Sequence, residues 1–253
     1  SVIFHAAAYK HVSLMERQPM MAIRNNVMAT HQLARAAVEQ GVEHFILIST
    51  DKAVVPSSVM GATKRLAEQV LQGHARGEVS ICFVTVRFGN VLGSSGSVVP
   101  IFQRQIELGG PVTVTDEKAT RFFMSIPEAA GLVLRSAAMG KNKDQFILDM
   151  GKPVRIMDLA KEMIRLSGYE IGEDIEIQCI GLRPGEKLHE ELHGFDEQLA
   201  DTDHPKIKRI QGGELTAEQW ETLEAALHHA MEMDDHAALK WLCRLLPEFQ
   251  PQK

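Results

Sequence analysis

The sequence predicts an α/β fold organised around a doubly wound parallel sheet, and three observations carry that expectation. Short apolar runs at Val2-Ile3-Phe4, Phe45 to Ile48 and Ile81 to Phe88 are close to continuous, as in strands covered on both faces. Stretches with helical spacing separate them, the pattern of strand, crossover and parallel strand. Polar residues follow the second run at once: Ser49, Thr50, Asp51 and Lys52 stand at its carboxyl end, where open α/β sheets place their ligands.

Taken in order, Val2 to Ala7 is the first strand and His5 to Val12 the turn that leaves it, where small residues let a ligand approach the backbone closely. Met15 to Gln40 forms one or two helices, interrupted by Asn25-Asn26, a pair that propensity disfavours because asparagine side chains compete for backbone hydrogen bonds. Beyond the strand at Phe45, Val55-Pro56-Ser57-Ser58 breaks the chain. A helix then runs from Val59 or Met60 to about Gly73, with Met60 and Lys64 on one face.

The strand Ile81 to Phe88 leads into a long loop, Arg87 to Phe102, whose Gly89, Gly93 and Gly96 open backbone conformations closed to other residues and whose Asn90 offers an amide to a polar ligand. A short strand at Val112 to Thr115 and the segment Thr120 to Met124 follow, and Pro127 starts a helix over Glu128 to Ala138. Gln145 to Asp149 is a strand, Ile156 to Ser167 an amphipathic helix, and Ile175 to Ile180 an alternating strand. The loop Gly181 to Lys187 carries Arg183 at the start of a helix expected over Leu188 to Leu192, an arrangement suited to a pyrophosphate. Glu186 and Lys187 are read as helix-start and surface residues. After Gly212, apolar residues at helical spacing give two short helices with a break near Asp234-Asp235. Three regions result: 1–110, a partial sheet domain with the catalytic residues, 111–211 for substrate with segments that can return to the sheet, and a helical tail over 212–253.

With 27 basic against 33 acidic residues the net charge is −6, which excludes the basic face of a nucleic-acid binder. Cys82, Cys179 and Cys243 are too scattered for a disulfide framework or a zinc site, and the adjacent His228 and His229 point to different helix faces, so no metal is expected. No run approaches the roughly 20 apolar residues that span a bilayer. The chain opens on a strand pattern without the glycine-rich G-x-G-x-x-G turn of a dinucleotide fold, and it is therefore read as a fragment lacking its first strands.

Ser49-Thr50-Asp51-Lys52-Ala53, then Met60-x-x-x-Lys64, then Arg87-Phe88-Gly89-Asn90-Val91-Leu92-Gly93-Ser94, and finally Gly181-Leu182-Arg183-Pro184-Gly185-Glu186-Lys187, form a combination over roughly Val2 to Gln211. It resembles the extended short-chain dehydrogenase/reductase family and, within it, the nucleotide-sugar 4,6-dehydratases of polysaccharide biosynthesis, in particular the long membrane-anchored UDP-N-acetylglucosamine enzymes. The resemblance implies a Rossmann-like fold, a UDP-sugar substrate, NAD rather than NADP, a homo-oligomer, and a place at the cytoplasmic side of a bacterial inner membrane through the missing N-terminal region. It assigns Ala6, Ala7, Ala8, Asn26, Ser49, Lys64, Arg87 and Gly89 to the cofactor, and Tyr9, Lys10, His11, Asn90, Ser97, Arg121 and Arg183 to the substrate.

The reaction so implied is oxidation at carbon 4, elimination of water across carbons 5 and 6, and return of the hydride to carbon 6. Elimination needs a tuned acid and base, and Asp51 and Lys52 suit them. Residue chemistry leaves open which does which, and the resemblance makes Asp51 the acid and Lys52 the base. Met60 stands where the wider family has tyrosine, and a thioether has no proton to exchange. Either Thr50, relaying through water to Lys64, replaces that tyrosine or the oxidation step is lost. The rival readings are a nucleotide-sugar 4-epimerase and an inactive fragment serving assembly through its tail.

Overall fold

The structure, a computed structural model, describes residues 1–77, 79–195, 197–230 and 233–251. The continuous apolar runs become the central strands β1 (Val2–His5), β2 (His44–Ile48) and β3 (Cys82–Arg87). Between β1 and β2, where one or two helices are expected, stand α1 (Val12–Met15), α2 (Pro19–Ala22, opened by its proline) and α3 (Ala29–Glu39). The disfavoured asparagine pair lies in a π-helical stretch, Ile23–Met28, that joins α2 to α3. Widened turns of this kind recur at functional sites. Helix α4 (Val59–His74) connects β2 to β3 and is capped by Ser58, whose hydroxyl accepts from Gly61 N–H.

Beyond β3 come β4 (Asn90–Val91), α5 (Val98–Glu107), β5 (Val112–Val114), β6 (Thr120–Arg121), β7 (Phe123–Met124), α6 (Ile126–Met139) and β8 (Gln145–Leu148). The chain continues through β9 (Val154–Arg155), α7 (Ile156–Leu166), β10 (Ile177–Cys179), β11 (Gln198–Asp201), β12 (Ile207–Gln211), α8 (Ala217–His229) and α9 (Asp235–Leu245).

The main sheet has the order β1-β2-β3-β8-β12-β11. Its first four strands are parallel, while β12 and β11 run antiparallel and close the edge with a hairpin that sequence reading did not find. Neighbouring residues serve opposite faces. Phe45, Leu47 and Phe83 pack with Ala34, Ala37, Ala67 and Leu71 of α3 and α4, whereas Ile46, Val84, Val86 and Phe146 pack with Leu132 and Val133 of α6. Both faces are covered by helices, which is the doubly wound arrangement and explains why the strands lack alternation.

Two expectations need correction. Helix α5 begins inside the stretch read as a loop to Phe102, so that loop ends at Ser97. Residues 188–192 form no helix, because Leu188 O accepts from Thr120 N–H and His189 bridges to Thr120, drawing the segment out along β6. The break near Asp234 separates α8 from α9 as read, although residues 231, 232, 252 and 253 of the tail lie outside the described residues.

Candidate active site

The carboxyl ends of β1, β2 and β3 open into one cleft of about 510 Å³, within the range of small-molecule sites. At the end of β2, Thr50 caps a single 3₁₀ turn, Asp51–Ala53, through a 3.4 Å hydrogen bond from Lys52 N–H. The turn sets two ionisable side chains against each other. Lys52 Nζ donates to Asp51 Oδ1 at 2.9 Å, and Thr50 Oγ1 donates to the same oxygen at 2.9 Å.

Two glycines make the turn possible. A Cβ on Gly61 would run into the Lys52 carbonyl oxygen, so α4 can seat on the turn only without a side chain there. A Cβ on Gly89 would lie 2.8 Å from Asp51 Oδ2. Just downstream, Val55 has φ +38, a rare conformation for a β-branched residue. Lys187 Nζ holds the preceding carbonyl, Val54 O, at 3.0 Å.

Asp51 is fully buried, and its Oδ2 has no hydrogen-bond partner among the described residues. Burial alone would lower the proton affinity of Lys52, but the Asp51 carboxylate and then that of Glu190 outweigh it and raise the pKa above the ordinary lysine value. Lys64 differs. Burial takes its pKa down to about 8, with Glu68 pulling the other way, and its Nζ donates to Ile48 O at 2.6 Å. Met60 is buried and lines the same cleft, packed into the cluster that joins α4 to the tail.

Ala6, Ala8, Tyr9, Lys10, His11, Ser49, Thr50, Lys52, Lys64, Gly89, Asn90, Ser97, Arg121 and Arg183 also line this cleft. Ala7 does not, and is exposed. Asn26 is buried behind it, where its amide clamps the turn after β1: Oδ1 accepts from Tyr9 N–H at 2.8 Å and Nδ2 donates to Tyr9 O at 3.1 Å. Ser49 Oγ donates inward to Glu68 at 2.6 Å. Asn90 faces the pair, its Oδ1 lying 3.5 Å from Lys52 Nζ.

Arg87 is the clearest departure. Its guanidinium is wholly buried between Glu68 and Glu197, at 2.7 Å and 2.8 Å, and is absent from the cleft lining, so it ties the sheet to α4 and to the chain before β11 rather than reaching a cofactor. Asp51 likewise stays behind the cleft wall and meets the site through Lys52.

Sequence reading missed the role of the segment after Gly185. Glu186 is no helix-start residue, since its Oε1 accepts from Arg121 at 2.9 Å and from Thr115 at 3.1 Å. Lys187 is largely buried rather than on the surface. Glu190 enters the cleft 3.4 Å from Lys52 Nζ and 3.7 Å from Arg121 Nε. Its sequence neighbourhood, Lys187-Leu188-His189-Glu190-Glu191, reads as an ordinary charged helix start and gives no signal of this. Among the described residues, no helix is long and apolar enough to cross a membrane.

A family described as "Polysaccharide biosynthesis protein" matches residues 1–212. The capsular polysaccharide biosynthesis protein CapD of Staphylococcus aureus is 56% identical over 207 residues, which are 82% of this chain and 34% of that protein. The chain thus spans about a third of the length of that relative. A protein of Rickettsia rickettsii named UDP-glucose 4-epimerase is 38% identical, over 82% of this chain and 60% of its own.

Among solved structures, Pen from Bacillus thuringiensis superposes with a TM-score of 0.78 at 36% identity, covering 84% of this chain and 67% of that one. DesIV of Streptomyces venezuelae, a dTDP-glucose 4,6-dehydratase solved with NAD, gives 0.66 at 19% identity over 98% and 73%, a likeness of fold alone. On the extent of the first match and the identity of these relatives, the chain belongs to the polysaccharide biosynthesis protein family.

Proposed function

We propose that the intact protein is an NAD-dependent nucleotide-sugar 4,6-dehydratase acting on UDP-N-acetylglucosamine in bacterial surface-polysaccharide synthesis, attached to the cytoplasmic face of the membrane through residues outside this chain. The observation that carries the reading is the Asp51–Lys52 pair, 2.9 Å apart at the end of β2 and at the wall of the cleft. A pair that shares one proton suits an elimination, which must take a proton at one carbon and give one at the next.

The residues present fit the nicotinamide end of NAD. The small side chains of Ala6 and Ala8 leave the backbone approachable, and Lys64 and Gly89 complete a wall without bulk at the strand ends. When bound, the cofactor supplies the reversible oxidation of the sugar at carbon 4. The chain's own residues handle protons. Exchange of the proton within the resting ion pair gives a neutral Lys52 amine and a protonated Asp51. Lys52 then takes the proton from carbon 5, Asp51, its carboxyl turned from behind the cleft wall toward the substrate, protonates the departing hydroxyl of carbon 6, and a carbon–carbon double bond and one water result. Thr50, hydrogen-bonded to Asp51, stands in for the missing tyrosine hydroxyl near Met60. Arg183 and Arg121, both in the cleft lining, would meet the diphosphate of the substrate.

The Rickettsia relative favours a second reading, a 4-epimerase. That reaction conserves mass and leaves the Asp51–Lys52 pair without a task. Mass spectrometry of UDP-N-acetylglucosamine incubated with the full-length protein and NAD separates them: loss of one water supports the dehydratase, and a product of unchanged mass refutes it.

A further inference from the structure

Glu190 is a buried carboxylate that the fold alone does not require. Its side chain is 3% exposed, and Oε2 has no hydrogen-bond partner among the described residues. Leaving a buried carboxylate oxygen unmet costs free energy, and an apolar side chain of similar size would fill the space without that cost. Arg121 does not explain its presence. That guanidinium already donates to Glu186 at 2.9 Å, to Thr120 O at 2.7 Å and to Leu188 O at 3.2 Å, while Glu190 stands off at 3.7 Å.

The nearer cation is Lys52, 3.4 Å from Glu190 Oε1. The groups that face Lys52 are few. Asp51 comes from its own turn, Asn90 from β4, Glu190 from the extended segment after Lys187, and Arg121 from β6 opposes the two carboxylates. Among the described residues Glu190 is therefore the one carboxylate that reaches Lys52 from the far wall of the cleft rather than from the turn that carries it.

We propose that Glu190 is a positioning residue of the reaction: its carboxylate holds the Lys52 ammonium in the cleft and keeps on the Asp51–Lys52 pair the one proton that the pair must share. This rests on the dehydratase reading above for its use, but not for its physical content. Loop 183–190 thereby becomes part of the proton-transfer site, joined to it through Lys187 and Val54 on one side and Glu190 and Lys52 on the other.

The test compares wild type with Glu190→Gln and Glu190→Asp in the full-length protein. Lysine labelled with carbon-13 at Cε reports the titration of Lys52 by NMR, with Lys52→Arg assigning the signal, and kcat and KM for UDP-N-acetylglucosamine are followed across the same pH range. In Glu190→Gln the proton affinity of Lys52 should fall by about tenfold, or one pH unit. The falling limb of kcat, where the pair loses its shared proton, should move to lower pH by the same amount, with KM within about twofold, and Glu190→Asp should restore most of both. An unchanged Lys52 titration overturns the proposal, as does a KM effect without movement of the pH limb. If the titration moves and none of these proteins removes water from the sugar, the placement of Glu190 stands and the dehydratase reading fails.

Discussion

Lys64 Nζ donates a 2.6 Å hydrogen bond to the carbonyl oxygen of Ile48, tying the first turns of α4 to the end of β2. Burial lowers the Lys64 pKa from 10.5 to about 8. Because the folded value lies below the unfolded one, the unfolded chain binds more protons between these limits, and stability rises with pH across that window. Denaturant unfolding from pH 8 to pH 10.5 should show a gain on the order of 3 kcal/mol from this group. Lys64→Met should abolish that slope.

Gly61 admits the Lys52 carbonyl, so Gly61→Ala should force the turn away from α4. The expected result is a loss of at least about 100-fold in kcat, since a displacement of about 1 Å at a catalytic group has that effect. Circular dichroism should show the fold retained, and turnover assays check the prediction.

The buried Arg87 bridge gives an acid-side prediction. Burial alone would raise the Glu68 pKa, but Arg87, then Arg65 and Ser49, outweigh it and hold it at about 2 against 4.5 for the free side chain. Its contribution is fully present above the unfolded value and is lost as pH falls through the folded one. Unfolding free energy should therefore drop by about 3 kcal/mol between these limits, and Glu68→Gln should flatten that fall.

The tail beyond the family match is structural. Trp241, Leu242 and Leu246 of α9 and its exit pack with Leu66 and Val70 of α4, the helix that carries Lys64. Leu242 is wholly buried, and Leu242→Ala should cost about 3 kcal/mol in urea unfolding.

Much of this was legible in the sequence because it is local. The strands at Phe45 and Ile81 announce themselves by continuous hydrophobicity, and Ser49 to Lys64 places a turn, a pair of ionisable groups and a helix start within one contiguous stretch. What escaped depends on distant partners. Arg87 follows an apolar strand and reads as a loop residue facing ligand, and only its pairing with Glu68 and Glu197, the latter 110 residues away, makes it a core group. Glu186 gains its role through Arg121 and Glu190 through Lys52, both far earlier in the chain, and no local pattern marks such contacts. The hairpin of β11 and β12 is short and polar on its outer strand, so it carries little periodic signal.

The most direct measurement follows the full-length protein with UDP-N-acetylglucosamine and catalytic NAD in deuterated water, observing the sugar by NMR. The account predicts a 4-keto-6-deoxy product carrying deuterium at carbon 5, formed by wild type and lost with Asp51→Asn and Lys52→Ala. An epimerised sugar with its carbon 6 hydroxyl intact, or equal dehydration by both variants, would contradict it.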